Sequence, residues 1–487
     1  MDQSRTEIFL ESRSALALVG ALAIVLFLIT NLPWQLDDYD QAKQAITSFE
    51  MIKEGHWLYQ RTPHERVATK PPLVGWISAG LFTTTRSWDI AWRLPSLLAA
   101  GAMSIFLFRA ARDAYGGFAG LIALSAFTFN LLSPRLASLV RTDMPLALIV
   151  FLIGLQIWKH VREQRSWSAR DRCFLFALLT AAMLIKGPIV YAFVFPGVLL
   201  FVWSRRKIRT EGRGCGWWPW FASLSIFLAW VIGGSFYVPG FYDQVVMREF
   251  LGRFGETVHR PQPIYFYLPH LLHKFAPWSV LMIALAIIDF RTPRKLGGLK
   301  PSSLRERWQK ISPETFWLLC WIFGGLLVMS LIPSKRVDRI FPVVPPLCLL
   351  LAAQIGKREH LRERVQRWCA AVLLLSILFA GGYSGFKVLD GYRDHRDALV
   401  KFGRVVREEA AQKHWRYEVV ESSDEGLLLY LQKLHFVQPE TAIAEWSSGN
   451  LDALIASAEE APRLVRDLQN GSIAPKDDKG AYVLITR

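Results

Sequence analysis

The sequence predicts an all-α polytopic membrane protein with about 11 transmembrane helices, juxtamembrane helices in its first outer loop, and a small C-terminal α/β soluble domain. Three observations predict this class. Of the 487 residues, 52% are hydrophobic and only 20% are charged, below the usual quarter. Apolar runs recur over most of the chain. After Lys387 the pattern changes to short strand-like segments and amphipathic segments, and Glu and Asp become common.

The first apolar run, 15–32, is long enough to cross a bilayer. The alternative is a cleaved signal peptide, but the run is long for one and no small-residue cleavage site precedes Trp34. We therefore expect an uncleaved helix with its N-terminus inside. The later candidate spans are 94–109, 118–133, 144–158, 173–185, 187–203, 217–236, 264–289, 315–333, 339–355 and 368–387.

Loop charge fixes the predicted topology. Four strongly basic loops must all be cytoplasmic if the positive-inside rule holds: 159–172, 205–213, 291–310 and 357–367. The four loops lie in the cytoplasm only if the apolar segment 73–86, which follows Pro71-Pro72, does not cross the membrane. We therefore expect 73–86 to be re-entrant or interfacial, and the C-terminus to lie outside.

The net charge of +16 is explained by these loops, so no nucleic-acid partner is predicted. The five cysteines form no metal-ligand pair and none lies in a predicted outer segment, so we expect no disulfide and no zinc site.

The C-terminal region is predicted to form a separate soluble domain. Segments 417–420 and 482–485 resemble short strands, and 424–433 and 451–468 have apolar residues at helical spacing. The sequence thus divides into a membrane domain, 1–387, which includes the first outer loop 34–93, and a C-terminal domain, 388–487.

The predicted topology collects charged groups on the outer face. The basic segment 334–339 is an exception to the positive-inside rule, and it indicates an anionic ligand unless it is only a local irregularity. Four carboxylates and six cations share this face: Asp37, Asp38, Asp40 and Asp143, with Lys70, Arg93, Lys186, Lys335, Arg336 and Arg339.

Carboxylates beside a cation cluster at a membrane surface suit one reaction class. Lys and Arg hold a lipid-linked phosphate through charge-assisted hydrogen bonds and stabilise the charge that develops when it leaves. A carboxylate takes the proton of the incoming acceptor. The arrangement therefore predicts glycosyl or phosphoryl transfer from a polyprenyl-phosphate carrier. Tryptophan side chains can stack on a sugar, or they can lie at the level of the lipid headgroups. Both roles are possible for Trp34, Trp57, Trp76, Trp88 and Trp92.

A series of motifs lies along the membrane part. The motifs are Asp40-Gln41-Ala42-Lys43, Gly55-His56-Trp57, Lys70-Pro71-Pro72-Leu73, Arg141-Thr142-Asp143-Met144-Pro145, Lys186-Gly187-Pro188 and Pro333-Ser334-Lys335-Arg336. In order and spacing they resemble the bacterial lipid A aminoarabinose transferases and the protein O-mannosyltransferases, lipid-carrier-dependent glycosyltransferases of the C-type fold, over about residues 10–390. Asp40-Gln41 stands where that family has Asp-Glu, and Lys43-Gln44 where it has Arg-Tyr.

The resemblance implies an inverting transferase without metal or other cofactor. It would sit in the bacterial inner membrane as a multi-pass protein with its active site facing the periplasm. The donor would be a polyprenyl-phosphate-linked sugar, and the acceptor a hydroxyl or phosphate of lipid A, another lipid or a protein. Asp40 would be the catalytic carboxylate, with Asp38 in reserve, and Asp143 a second acid. The donor phosphate would be bound by Lys70, Lys335, Arg336 and Arg339.

Alternatives remain at this stage. Lys70 can extend its ammonium group to an interface, Asp143 can cap the helix that begins at Met144, and Lys186 can simply mark a turn. We take the loop histidines, His56, His64 and His259, as ordinary loop residues. The rival functions are a polyprenyl-linked sugar flippase or transporter, and a non-catalytic sugar-binding membrane protein.

Overall fold

The computed structural model describes residues 12–36, 39–64, 66–204, 216–253, 261–291, 311–356, 362–422, 424–468, 471–473 and 480–487. The chain forms two compact units. The first unit comprises Met1–Thr30, Ser96–Ser138 and Thr142–Ser384. The second unit comprises Asn31–Pro95, Leu139–Arg141 and Gly385–Arg487.

Long apolar helices dominate the described chain, as the sequence predicts. Seven of them are long and apolar enough to cross a membrane: Arg13–Thr30, Trp88–Tyr115, Asp143–Glu163, Trp218–Tyr237, Pro313–Leu331, Val337–Gly356 and Glu363–Arg393. Other helices of the first unit include Gly117–Thr128, Ser133–Ser138, Ala169–Lys186 and Ile189–Ser204.

The predicted span 264–289 is broken in the structure. Two helical pieces lie there, Ile264–Lys274 and Trp278–Ile288, bent by 101°. Pro277 lies at the break, where its missing N–H cannot continue a helix. A π-helical segment, Tyr242–Phe250, and a 3₁₀ turn, Leu251–Arg253, precede this pair in the chain.

Glycines allow helices of the first unit to pack closely. A Cβ atom built on Gly324 of the Pro313–Leu331 helix would lie 2.6 Å from the backbone nitrogen of Gly197 in the Ile189–Ser204 helix. A Cβ on Gly154 would lie 2.2 Å from the Trp321 ring. Small residues at such contacts are how helices in lipid achieve tight van der Waals packing.

The second unit contains helices of the first outer loop and the C-terminal sheet. Its helices are Tyr39–Lys53, Leu73–Thr85, Ala398–Lys413, Glu425–Leu431, Pro439–Ser447 and Ala461–Asp467. The strands are β1 (Tyr417–Val419), β2 (Ala453–Ser457), β3 (Ser472–Ile473) and β4 (Tyr482–Thr486), in the order β1-β2-β4-β3. The β1–β2 pair is parallel, and the other two pairs are antiparallel.

The strands predicted at 417–420 and 482–485 are confirmed as β1 and β4, and the helix predicted at 424–433 is confirmed as Glu425–Leu431. The helix predicted over 451–468 is wrong in its first half, which forms β2. Four of the five β2 residues are buried between β1 and β4. A short, fully buried apolar run has the same local pattern in a strand as in a buried helix.

One hydrophobic core joins the first outer loop to the C-terminal region. Ile46 and Phe49 of the Tyr39–Lys53 helix share this core with Val419, Leu428 and Leu484. The Leu36 amide also donates a hydrogen bond to the Tyr430 hydroxyl, at 2.7 Å. The sequence grouped loop 34–93 with the membrane domain, whereas in the structure it shares a compact unit with 385–487.

Candidate functional site

Asp40 lies in the first turn of the Tyr39–Lys53 helix, in the second unit. Its Oδ2 atom is 3.5 Å from Nη2 of Arg141, whose side chain is only 6% exposed. Asp40 itself is 32% exposed at its side chain. A helix N-terminus and a guanidinium both interact favourably with a carboxylate. The Asp40 carboxylate is therefore positioned by its surroundings, and solvent or a ligand can still reach it.

Gln41 fixes the geometry of this pair. Its amide oxygen accepts a hydrogen bond from the Val140 backbone nitrogen, at 3.0 Å. The bond ties the start of the Tyr39–Lys53 helix to the residue just before Arg141. The family motif has Glu where this chain has Gln41. The buried, neutral amide of Gln41 makes the hydrogen bond to Val140, next to Arg141.

Asp143 and Lys186 form an ion pair in the first unit. Lys186 Nζ lies 2.5 Å from Asp143 Oδ1, and their side chains are 12% and 11% exposed. The N-cap of the Asp143–Glu163 helix is Thr142, so Asp143 is the first helical residue and not the cap that the alternative assigned. Lys186 ends the Ala169–Lys186 helix, so each charge lies at the helix end that favours it.

Two cations of the basic segment 334–339 in the first unit, Lys335 and Arg339, donate hydrogen bonds to backbone carbonyls. Lys335 Nζ donates to the carbonyl oxygen of Gln262, at 2.8 Å. Arg339 Nη1 donates to the Ser334 carbonyl at 2.8 Å. Burial lowers the pKa of the Lys335 ammonium. A neighbouring anion would oppose this shift, because it favours the charged form.

Other predicted residues have different surroundings. Lys70 is half-buried in the bend before the Leu73–Thr85 helix, in the second unit. The Arg93 guanidinium donates to the backbone carbonyls of Trp34 and Asp89, which gives it a structural contact in the same unit. Asp37, Asp38 and His259 lie outside the described residues.

Arg141 belongs to the Arg141-Thr142-Asp143-Met144-Pro145 motif, but the sequence alone assigns it no role. The pairing with Asp40 depends on a contact between distant segments, so no spacing rule could reveal it. The available signal was an arginine in a turn between apolar runs, where a charge is costly and usually functional.

Comparisons with known proteins agree with this architecture. A family model described as dolichyl-phosphate-mannose-protein mannosyltransferase matches residues 69–235. The undecaprenyl phosphate-alpha-4-amino-4-deoxy-L-arabinose arabinosyl transferase of Pectobacterium atrosepticum is 24% identical over 76% of this chain, which spans 64% of that relative's length. The Yersinia enterocolitica protein of the same name is 25% identical over 79% of this chain and 68% of its own length.

A solved structure shows the same fold along nearly the whole chain. The crystal structure of ArnT from Cupriavidus metallidurans bound to undecaprenyl phosphate aligns with a TM-score of 0.73 and 18% identity, over 97% of this chain and 98% of that one. The resemblance to lipid-carrier-dependent glycosyltransferases of the C-type fold, stated from the motifs, is therefore confirmed.

Proposed function

We propose that this C-type fold protein is an inverting glycosyltransferase that moves a sugar from a polyprenyl-phosphate donor to a hydroxyl or phosphate of a lipid A-type or protein acceptor. The observation that carries the proposal is the Asp40 carboxylate, held 3.5 Å from the buried Arg141 guanidinium at a helix start. The names of the arabinosyl transferase relatives support the donor class. The acceptor class follows from the same resemblance.

Asp40 acts as the base in this proposal. The acceptor oxygen attacks the anomeric carbon while its proton passes to the Asp40 carboxylate. The bond between that carbon and the phosphate oxygen breaks, and the phosphate leaves on the lipid carrier. A single displacement of this kind inverts the anomeric carbon. Arg141 is a positioning residue, since its guanidinium orients the carboxylate.

Lys335, Arg336 and Arg339 bind the donor phosphate, assisted by Lys70. Charge-assisted hydrogen bonds from these cations hold the ground state and stabilise the extra negative charge of the leaving phosphate. The reduced pKa of Lys335 supports this role, because a phosphate that arrives beside a partly desolvated ammonium restores its preference for the charged form. Asp143 acts as the second acid and is held by Lys186.

We place this reaction at the periplasmic face of the bacterial inner membrane. About 11 spans, an inside N-terminus and an outer C-terminal domain, 388–487, satisfy the positive-inside rule. The count leaves out the 13-residue Leu73–Thr85 helix, because its crossing would put the four basic loops on the outer side.

Transfer of label from a synthetic undecaprenyl-phosphate aminoarabinose to lipid A, measured with purified protein in nanodiscs, tests the proposal. Asp40→Asn is expected to reduce the transfer rate by at least about 10²-fold, the usual contribution of a positioned base. The matched control is Asp113→Asn, at a side chain that is 60% exposed beside Arg112. Equal rates for Asp40→Asn and wild type would contradict the assignment.

The donor site has its own measurement. Lys335→Ala and Arg336→Ala are expected to raise the KM for the labelled donor more than the KM for lipid A. An unchanged donor dependence would count against phosphate binding at this segment. Label that crosses the membrane but stays on its carrier would instead favour a flippase, and failure of wild-type protein to release label from any tested carrier would favour a non-catalytic sugar-binding protein.

A further inference from the structure

Three metal-ligating side chains meet at the end of the Tyr39–Lys53 helix, in the second unit. His56 Nδ1 lies 2.9 Å from Glu50 Oε1 and 3.5 Å from Glu54 Oε2. One ligand atom from each residue falls within 4.8 Å of the other two. Glu50 and Glu54 are four residues apart, so they lie on one face of the helix end. His56 returns toward this face after Gly55, whose φ of 79° is one that glycine adopts easily.

The second oxygen of each carboxylate is held from outside the cluster. The Arg61 backbone nitrogen donates to Glu50 Oε2 at 2.6 Å. His435 Nε2 lies 2.7 Å from Glu54 Oε1. Outer partners of this kind orient the ligands at protein metal sites. Both carboxylates thus keep their remaining oxygen turned toward the same imidazole nitrogen.

The spacing suits a small transition-metal ion. Zinc binds carboxylate oxygen and imidazole nitrogen at about 2.0–2.2 Å, so neighbouring ligand atoms of a tetrahedral site lie about 3.3 Å apart. The two measured distances, 2.9 and 3.5 Å, bracket that separation. A protonated His56 between two carboxylates is the alternative that explains the same contacts without a metal.

We propose that Glu50 Oε1, Glu54 Oε2 and His56 Nδ1 bind a divalent transition-metal ion of the zinc type. Glu50 is almost fully buried, with 2% of its side chain exposed, whereas Glu54 and His56 are 30% and 46% exposed. The site is therefore anchored in the protein and open to solvent on one side. Water completes the coordination there.

Burial of Glu50 is the feature that distinguishes this cluster from an ordinary surface group. A carboxylate removed from water is costly unless a cation or hydrogen-bond donors compensate it. A bound cation would supply that compensation.

The proposed ion has a structural role. Glu50 lies ten residues beyond Asp40 in the same helix, about 15 Å along its axis at 1.5 Å per residue. The ion therefore takes no part in the transfer step. It fixes the loop after the helix, 54–61, and through His435 it connects that loop to the segment before Pro439. The inference is independent of the proposed transferase activity.

The test uses the full chain, purified without a polyhistidine tag, stripped with a chelator and then titrated with zinc sulfate. We expect about one zinc ion per chain by mass spectrometry and a higher melting temperature with zinc. His56→Gln and Glu50→Gln are expected to lose both effects. His64→Gln, in the same outer loop, is the matched control and should keep them.

A fourth variant separates direct ligands from the outer partner. His435→Gln should weaken zinc binding by about 10–100-fold without abolishing it. Cobalt(II) in place of zinc should give a visible absorption band that disappears in His56→Gln. His56 is nearly half exposed, so its variant decides the question if Glu50→Gln does not fold. Absence of binding at micromolar zinc, or equal binding by His56→Gln and wild type, would overturn the proposal.

Discussion

Replacement of Lys186 by Met tests the buried ion pair with Asp143. The two groups are 2.5 Å apart, with side chains only 12% and 11% exposed. Met retains most of the apolar contact of the lysine stem, so the change mainly removes charge. Removing one partner of a buried pair costs about 3–5 kcal/mol, because the other charge stays desolvated. We expect Lys186→Met to lose about 3 kcal/mol of unfolding free energy.

A double-mutant cycle isolates the interaction. Asp143→Asn removes the residual charge, so Lys186→Met/Asp143→Asn should be more stable than Lys186→Met alone. The coupling free energy should be about 2 kcal/mol, within the range for groups in direct contact. Reversible thermal or denaturant unfolding of detergent-purified protein measures the four variants. If the stability losses of the two single variants add up to that of the double variant within about 0.5 kcal/mol, the residues are independent, and the proposed ion-pair interaction is refuted.

Two further predictions concern packing and pH. Gly324→Ala should lower the unfolding free energy by about 1–3 kcal/mol, because its Cβ would lie 2.6 Å from the backbone of the neighbouring helix. Gly382→Ala is the control, since no atom lies within 4 Å of its Cβ, and it should change little in the same unfolding assay. Hydrogen bonds from Arg416 lower the pKa of Asp452, so this carboxylate stabilises the folded state above its unfolded pKa, and that contribution is lost as the pH falls through the folded value. Asp452→Asn should therefore lower the melting temperature at pH 7, and the difference from wild type should shrink below about pH 4. A difference in melting temperature that stays constant with pH would contradict this. So would an equal loss of melting temperature in the control variant Asp467→Asn, at an exposed residue.

Local patterns in the sequence were enough to predict the helical membrane part. An apolar run such as 144–158 is long, carries few charges and lies between turn residues, and the structure has the Asp143–Glu163 helix there. The strands at 417–420 and 482–485 were also predicted from short local runs. The carboxylates and cations stood out for a similar reason, since charge between apolar segments is costly and therefore conspicuous.

The sequence by itself therefore determined which segments are apolar helices and which charged residues are candidates for chemistry, because both depend on neighbours along the chain. Only the folded chain showed that Asp40 contacts Arg141, that Asp143 pairs with Lys186, and that 453–457 is a strand. It also showed that the first outer loop and the C-terminal region share one core. These features depend on contacts between distant segments, and many pairings satisfy the same local pattern until packing and burial select one of them.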